Sequence, residues 1–322
     1  MAKLKLPSRK AKKSDKKSKK IRLKLRKPTK AFFKSAGFLT SLMIILGLGG
    51  FIYSGQYWYK HTLTNTDKIF YGMLEKNLRT SSVTRTVDQP SSSRTEKQVI
   101  YLDFSPKTVV NTKSSIEQIG QDRQKSAVST ENIGTKDSDF IRYTNVEIPQ
   151  ASGDKTDYSK ILNTWAKRTK QSTADGKPQF LNEATFTFMP FGNFSVSKKD
   201  EIIKKIKDKK VYKVHDTKVT YENGRLIMTG IADINPRQFV SVMQDYAKAT
   251  GVGNLDQLDP SQYQDKNNFP VSFSVDVITR HLTKLVYPNG DRAETYDAYG
   301  VKRPIEVPTK YISVDELQSR LK

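Results

Sequence analysis

The residues that could carry out chemistry in this chain are few and far apart. The three histidines, His61, His215 and His281, are distant from one another in sequence, and the chain contains no cysteine. A metal site needs several ligands at about 2 Å from the ion, and no HExxH motif or His-rich cluster supplies them. We therefore expect each histidine to have a surface or structural role, and we predict no metal site.

Motifs for covalent catalysis or phosphate binding are also missing from the sequence. The chain has no Gly-x-Ser-x-Gly nucleophile elbow. Residues 250–253, Thr-Gly-Val-Gly, follow a helical pattern rather than a strand and lack the Lys-Ser or Lys-Thr pair of a phosphate-binding loop. Asp256, Asp259 and Asp265 do not have the spacing of a calcium loop. We predict that the protein is not an enzyme and uses no cofactor.

One uncharged stretch dominates the N-terminal part of the chain. Residues 35–59 lie between Lys34 and Lys60 and contain no charged residue. A helix of roughly 20 apolar residues crosses a hydrocarbon core of about 30 Å, and aromatic residues frame both ends of this stretch, as at membrane interfaces. The pattern predicts a transmembrane helix over 35–59 rather than a buried helix of a soluble core. A cleavable signal peptide is disfavoured because the apolar run is too long and no small-residue cleavage site follows it.

The distribution of charge orients this helix. Residues 1–34 contain sixteen Lys or Arg and one acid, Asp15, and the whole chain has a net charge of +23. Basic flanks stay in the cytoplasm, so we predict a single-pass protein of the cell membrane with a cytoplasmic N-terminus. Such a basic, apolar-poor tail is expected to be disordered. Anionic lipid headgroups are favoured over nucleic acid as its partner because a membrane helix follows it directly. The residues expected to contact these lipids are Lys24, Arg26, Lys27, Lys30 and Lys34.

The remaining residues form the part of the chain predicted to lie outside the membrane. We expect a tether over 60–66 and an extracytoplasmic domain over 67–322. A domain without disulfides must be stabilised by its hydrophobic core, which a chain of this length can supply. The absence of cysteine also excludes a lipidated-cysteine anchor and favours a bacterial envelope.

Helix and strand patterns are interspersed along this domain. Helical spacing of apolar residues predicts helices over 67–79, 158–167, 198–210, 236–250 and 314–321. Alternation predicts strands over 80–87, 98–104, 109–119, 140–148, 184–189 and 269–277. Asn-Gly pairs at 223–224 and 289–290 predict two tight hairpins. The sum predicts an α+β fold, in which a meandering antiparallel sheet packs on a few helices.

The inner face of this sheet is the candidate binding surface, and two interpretations of it remain open. It can be an ordinary hydrophobic core, which composition favours, or it can leave an apolar cavity for a ligand such as a lipid chain. A shift of one residue would turn each strand residue outward. The residues predicted to face the cavity are Ile100, Leu102, Phe104, Phe186, Phe188, Met228, Val271, Phe273 and Val275.

Several segments resemble the lipid-carrier lipoprotein superfamily, which includes LolA-like carriers and LppX/LprG-like envelope lipoproteins. They are the helix and strand start at 69–82, the helix at 236–250, the passage at 275–286 and the Tyr-Gly kink within 295–308. The resemblance covers element order from Asp67 to Pro308 and includes no ligand motif. It implies an incomplete β-barrel wrapped around helices, with an apolar cavity that shelters acyl chains.

One difference from that superfamily affects the implied role. Its members are often lipidated on cysteine or soluble, whereas this chain has a predicted transmembrane anchor, and a tethered carrier cannot shuttle across an envelope. The alternative hypothesis is a bitopic structural component of a secretion or conjugation complex, similar to VirB8-like proteins, that acts through protein contacts. A deep apolar cavity favours lipid binding, and a large exposed apolar patch favours assembly.

Overall fold

The structure, a computed structural model, describes residues 65–120, 123–149, 156–168, 179–251 and 258–321, together with seven positions between 43 and 54. The chain divides into two units, Met1–Tyr57 and Trp58–Lys322. The predicted tail, with its lipid-contacting residues from Lys24 to Lys34, lies outside the described residues. So do most of the tether and the predicted transmembrane segment, apart from the seven positions, which are helical. Within the described part of the chain, no helix has both the length and the apolar character needed to cross a membrane.

Twelve strands form one sheet in the second unit. In sheet order they run β12-β6-β5-β4-β3-β2-β1-β11-β10-β9-β8-β7. All neighbours are antiparallel except β12 and β6, which are parallel. The strands are β1 (Ser82–Pro90), β2 (Arg94–Asp103), β3 (Val109–Ile119), β4 (Lys125–Thr135), β5 (Asp139–Glu147), β6 (Ala166–Arg168), β7 (Tyr212–Glu222), β8 (Arg225–Ile234), β9 (Phe269–Asp276), β10 (Leu282–Val286), β11 (Ala293–Asp297) and β12 (Ile312–Ser313).

The sheet is built from two meanders that join in its middle. The first meander runs from β1 to β6 and the second from β7 to β11, and β1 pairs with β11. Among the described residues the outermost strands, β12 and β7, do not pair with each other, so the sheet is open. Asn223 and Gly224 connect β7 to β8 with positive φ at both residues, as the sequence predicted for a tight hairpin.

Among the described residues of the second unit, five α-helices accompany the sheet: α1 (Thr66–Asn77), α2 (Phe180–Thr185), α3 (Val196–Asp208), α4 (Pro236–Thr250) and α5 (Val314–Ser319). The side chain of Asn235 accepts a hydrogen bond from the Gln238 amide and Pro236 occupies the first turn, which confirms the predicted start of α4. At the start of α1 the cap is Asn65, which accepts from the Lys68 amide.

Among the described residues, the larger of two hydrophobic clusters lies between the sheet and helices α1, α2, α3 and α4. The ring of Phe70 on α1 lies at its centre, 5.2 Å from the ring of Phe273 on β9 and 5.4 Å from that of Tyr212 on β7. Side chains from most strands contribute to this same core, which requires the sheet to curve around the helices. The predicted α+β class with an antiparallel sheet on a few helices is confirmed.

Three local predictions were wrong. The alternating segment 184–189 is not a strand, because α2 ends at Thr185 and the following residues are irregular. Residues 158–167 form a 3-10 helix over Tyr158–Ile161 and then enter β6, rather than one helix. The second Asn-Gly pair lies in the predicted hairpin between β10 and β11, but in a 3-10 turn over Pro288–Gly290 rather than in a two-residue turn. For residues 166–168, pairing of β6 with β5 and β12 overrode the helical pattern.

A candidate apolar ligand-binding cleft

An apolar cleft lies between helix α4, the irregular segment after α2 and the residues that precede β9. Its volume is about 410 Å³, within the range of roughly 300–1,000 Å³ typical of small-molecule sites. Helix α4 contributes Phe239, Val240 and Met243, which form one wall. The described residues that line it are Phe186, Phe188, Ile234, Pro236, Phe239, Val240, Met243, Leu258, Tyr263, Lys266, Asn267 and Phe269.

Aromatic side chains form most of the remaining wall. The ring of Phe188 lies 5.4 Å from that of Phe239 and 5.1 Å from that of Phe269. The ring of Phe186 lies 6.0 Å from that of Phe188, and Phe186 keeps 37% of its surface exposed. Rings at these distances pack favourably on one another, so the wall is held together by its own contacts while its surface faces the cleft.

The segment that presents Phe186 and Phe188 is fixed at its beginning by a buried carboxylate. Asp139, at the start of β5, is 2% exposed. Its Oδ2 accepts hydrogen bonds from the Gln179 amide at 2.6 Å and the Phe180 amide at 3.2 Å. These are unpaired donors of the first turn of α2, so Asp139 sets where that helix begins.

The same segment is fixed at its end by a buried arginine. Arg85 lies on the inner face of β1, and its Nη1 donates to the carbonyl oxygens of Ala184 at 3.1 Å and Phe186 at 3.0 Å. An irregular segment has no ladder to satisfy its carbonyl groups, and Arg85 supplies the missing donors. This contact explains why residues 184–188 lie against the sheet without forming a strand.

Arg85 in turn belongs to a buried network around Glu294 on β11. Glu294 Oε1 accepts from Tyr287 at 2.8 Å and from Arg292 Nη2 at 2.8 Å, and its Oε2 accepts from the Tyr296 hydroxyl. Burial acts to raise the pKa of Glu294, but Arg85, the Tyr296 hydroxyl and Arg292 outweigh it and hold that pKa below its usual value. Glu294 is therefore a carboxylate, which carries the charge that Arg85 needs as a partner.

The nine residues predicted to face a cavity divide into two groups. Phe186 and Phe188 line the cleft. The other seven face the helices, as the strand alternation predicted, but they are packed in the hydrophobic core and do not line the cleft: Ile100, Leu102, Phe104, Met228, Val271, Phe273 and Val275. The structure thus places these seven side chains in the core, and their contact with a ligand stays a prediction.

Little in the sequence indicates the other cleft residues. Helical spacing predicted a helix over 236–250, but such a pattern assigns its apolar face, with Phe239, Val240 and Met243, to the core. Lys266 and Asn267 lie in a stretch, 251–268, for which neither a helix nor a strand was predicted. The buried pair Arg85 and Glu294 was also missed, although Arg85 alternates with two valines, Val83 and Val87, on an inward-facing strand, and a charge at such a position is the available signal.

A second cleft, of about 500 Å³, lies on the outer face of the sheet beside residues 303–306. Its floor is polar. Glu131 accepts a hydrogen bond from Asn111 at 2.7 Å and is paired with Arg142, whose guanidinium lies 4.6 Å from the Trp165 ring. Because these polar groups satisfy one another, the apolar cleft is the better candidate for a ligand.

Comparisons with known proteins give little information beyond this geometry. No family model matches the chain, and no curated protein matches it. Among solved structures, the chain is similar to that described as "Crystal structure of LprF from Mycobacterium bovis", with a TM-score of 0.35 and 12% sequence identity. The match covers 74% of this chain and 93% of that chain. At so low a TM-score the similarity carries no argument about the ligand or the function.

Proposed function

We propose that this protein is a membrane-anchored binding protein that holds an apolar ligand, such as an acyl chain, in the cleft beside α4. The observation that supports the proposal is the cleft itself, which has a mainly apolar lining and a wall of packed aromatic rings. Residues 35–59 would anchor the chain in the cell membrane, with the basic tail in the cytoplasm and the binding domain outside.

The physical reason for a ligand is the apolar surface that the cleft leaves in contact with water. Burying such surface stabilises by roughly 25 cal/mol per Å², or about 0.8 kcal/mol for each methylene group of a ligand. Phe186 is the clearest example, because it is a large apolar side chain at the cleft with 37% of its surface exposed. An acyl chain would cover it without requiring a hydrogen bond from the protein.

The proposal can be tested by photo-crosslinking on the full chain in nanodiscs of a neutral phospholipid. A hexadecanoic acid that carries a photoreactive diazirine is added, the sample is irradiated, and the labelled peptides are mapped by mass spectrometry. We expect labels on α4 and on residues 186–188. Mapping by position separates ligand in the cleft from fatty acid dissolved in the lipid.

Two serine variants provide the comparison. Phe186→Ser removes a ring from the cleft, and we expect it to reduce labelling of α4 several-fold. Ile278→Ser is the control, because Ile278 is also exposed, at 59%, but does not line the cleft. Labels spread over the surface, or equal labelling of α4 in both variants, would rule out the cleft as the binding site.

The alternative, a structural component that acts through protein contacts, has no specific observation in its favour among the described residues. It stays a prediction from the sequence.

A further inference from the structure

The polar residues of the cleft are concentrated in one short stretch of the chain. Of the twelve described residues that line the cleft, nine are apolar, and the other three are Tyr263, Lys266 and Asn267. Tyr263 ends a short 3-10 helix, Pro260–Tyr263, and the other two follow it before β9 begins. The cleft is therefore amphipathic, with apolar walls and a polar group of residues on one side.

These three polar side chains have hydrogen-bonding capacity to spare. Among the described residues, none forms a side-chain hydrogen bond or an ion pair with Tyr263, Lys266 or Asn267. By contrast, Lys205 forms an ion pair with Asp245 at 2.8 Å. Lys266 and Asn267 are exposed and Tyr263 is half-buried. An ammonium, an amide and a phenol can each donate a hydrogen bond to an anionic group.

The size of the cleft limits the rest of the ligand. A volume of about 410 Å³ lies near the lower end of the range of roughly 300–1,000 Å³ for small-molecule sites. It suits one chain better than the several chains of a multiply acylated lipid. Among the described residues that line the cleft, Lys266 is the charged one, and Asp265, its neighbour in sequence, does not line the cleft.

We infer that the ligand is a single-chain amphiphile with a carboxylate head, of the fatty-acid class, and that Lys266 binds the head at the edge of the cleft. The apolar chain then lies between α4 and the rings of Phe186 and Phe188. The inference rests on the proposed function, because it assigns a chemical class to the ligand of the same cleft.

The experiment is a competition assay with the full chain in the same neutral nanodiscs, using hexadecanoate and hexadecanol to displace the photoreactive label from α4. The two competitors have the same chain and differ in the charge of the head. We expect hexadecanoate to compete about fivefold better than hexadecanol, as an exposed charge pair allows. Lys266→Gln should remove that preference without weakening competition by hexadecanol, and Lys266→Arg should restore most of it.

The outcomes separate the two proposals. If the two competitors are equally effective and Lys266→Gln changes nothing, the carboxylate assignment is wrong and the cleft remains a site for uncharged apolar ligands. If neither compound displaces the label from α4, both the assignment and the proposed binding function are wrong. A preference for hexadecanoate that survives Lys266→Gln unchanged would overturn the role of Lys266.

Discussion

Arg85 Nε lies 3.5 Å from Glu294 Oε2, and both side chains are almost completely shielded from solvent. The two residues stand on neighbouring strands, β1 and β11, where Arg85 is directly opposite Tyr296. The other end of the guanidinium binds the carbonyl groups of Ala184 and Phe186. A single buried ion pair therefore connects the middle of the sheet to the wall of the cleft.

The first prediction concerns removal of this arginine. Arg85→Ala leaves two carbonyl groups without their donor and removes one of the two arginines that form ion pairs with the buried Glu294 carboxylate. We expect it to reduce the free energy of unfolding by about 3–5 kcal/mol. Arg94→Ala is the control, because Arg94 pairs with Glu96 at the surface and should cost about 1 kcal/mol or less. Urea unfolding of both variants measures the difference. Equal losses would show that Arg85 has no special structural role.

The second prediction concerns the stability of the protein at acidic pH. The pKa of Glu294 in the folded protein lies below its ordinary value of 4.5, because Arg85 and its other partners outweigh burial. The stabilisation from this group is therefore present above pH 4.5 and is lost as the pH falls through the folded-state pKa. Unfolding free energy measured by urea titration should fall with acid more steeply in the wild type than in Glu294→Gln. Parallel pH profiles would contradict the depressed pKa.

The third prediction compares two glycines. A Cβ on Gly134 of β4 would lie 2.7 Å from the Leu181 amide nitrogen and 2.9 Å from Phe180 Cβ, so Gly134→Ala forces α2 away from the sheet. We expect a loss of about 1–3 kcal/mol and weaker labelling of the cleft. A Cβ on Gly72 meets only the Arg280 side chain at 3.5 Å, and Gly72→Ala in α1 should stabilise by about 0.5–1 kcal/mol. Thermal unfolding of both variants measures these changes in stability. A Gly134→Ala variant as stable as the wild type would argue against close packing of α2 on the sheet.

The fourth prediction concerns two histidines in opposite environments. His215 lies 2.9 Å from Asp216 and 3.1 Å from Asp233, and hydrogen bonds to these carboxylates raise its pKa above 6.5. His281 stacks on Tyr299, and burial lowers its pKa. In NMR titrations assigned with single His→Gln variants, His215 should lose its proton at a higher pH than His281. Asp233→Asn should lower the pKa of His215 alone. If His215 and His281 had the same pKa, the prediction of opposite environments for the two histidines would be wrong.

Much of the sheet could be predicted because a period of two residues is visible in the sequence itself. The alternation from Phe269 to Val277 and from Ile100 to Phe104 indicates which side chains point inward, and all of these residues are buried or half-buried. The start of α4 could also be predicted, because Asn235 caps the helix and Pro236 lies in its first turn. These signals are local, and the structure confirms them.

The cleft could not be predicted in the same way because it depends on contacts between distant segments. Phe186 and Phe188 alternate as strand residues do, yet Arg85 from another strand takes the place of a ladder partner. Lys266 has no sequence pattern around it that distinguishes a cleft residue from an ordinary loop lysine. The cleft forms because α4, residues 186–188 and residues 258–269 come together in the tertiary fold. No local sequence pattern indicates that these segments are neighbours.

The pairing of β1 with β11 also determines the order in which the molecule can be completed. β1 is synthesised early and β11 much later. The two strands, which pair Thr84 with Asp297, can therefore associate only after β11 has been made. Until then β1 has only one hydrogen-bonded neighbour, β2, and its other edge is an open template for a wrong strand. Contacts between residues so far apart in sequence form slowly. Until they form, β1, which is a central strand of the finished sheet, is an edge strand of the growing chain.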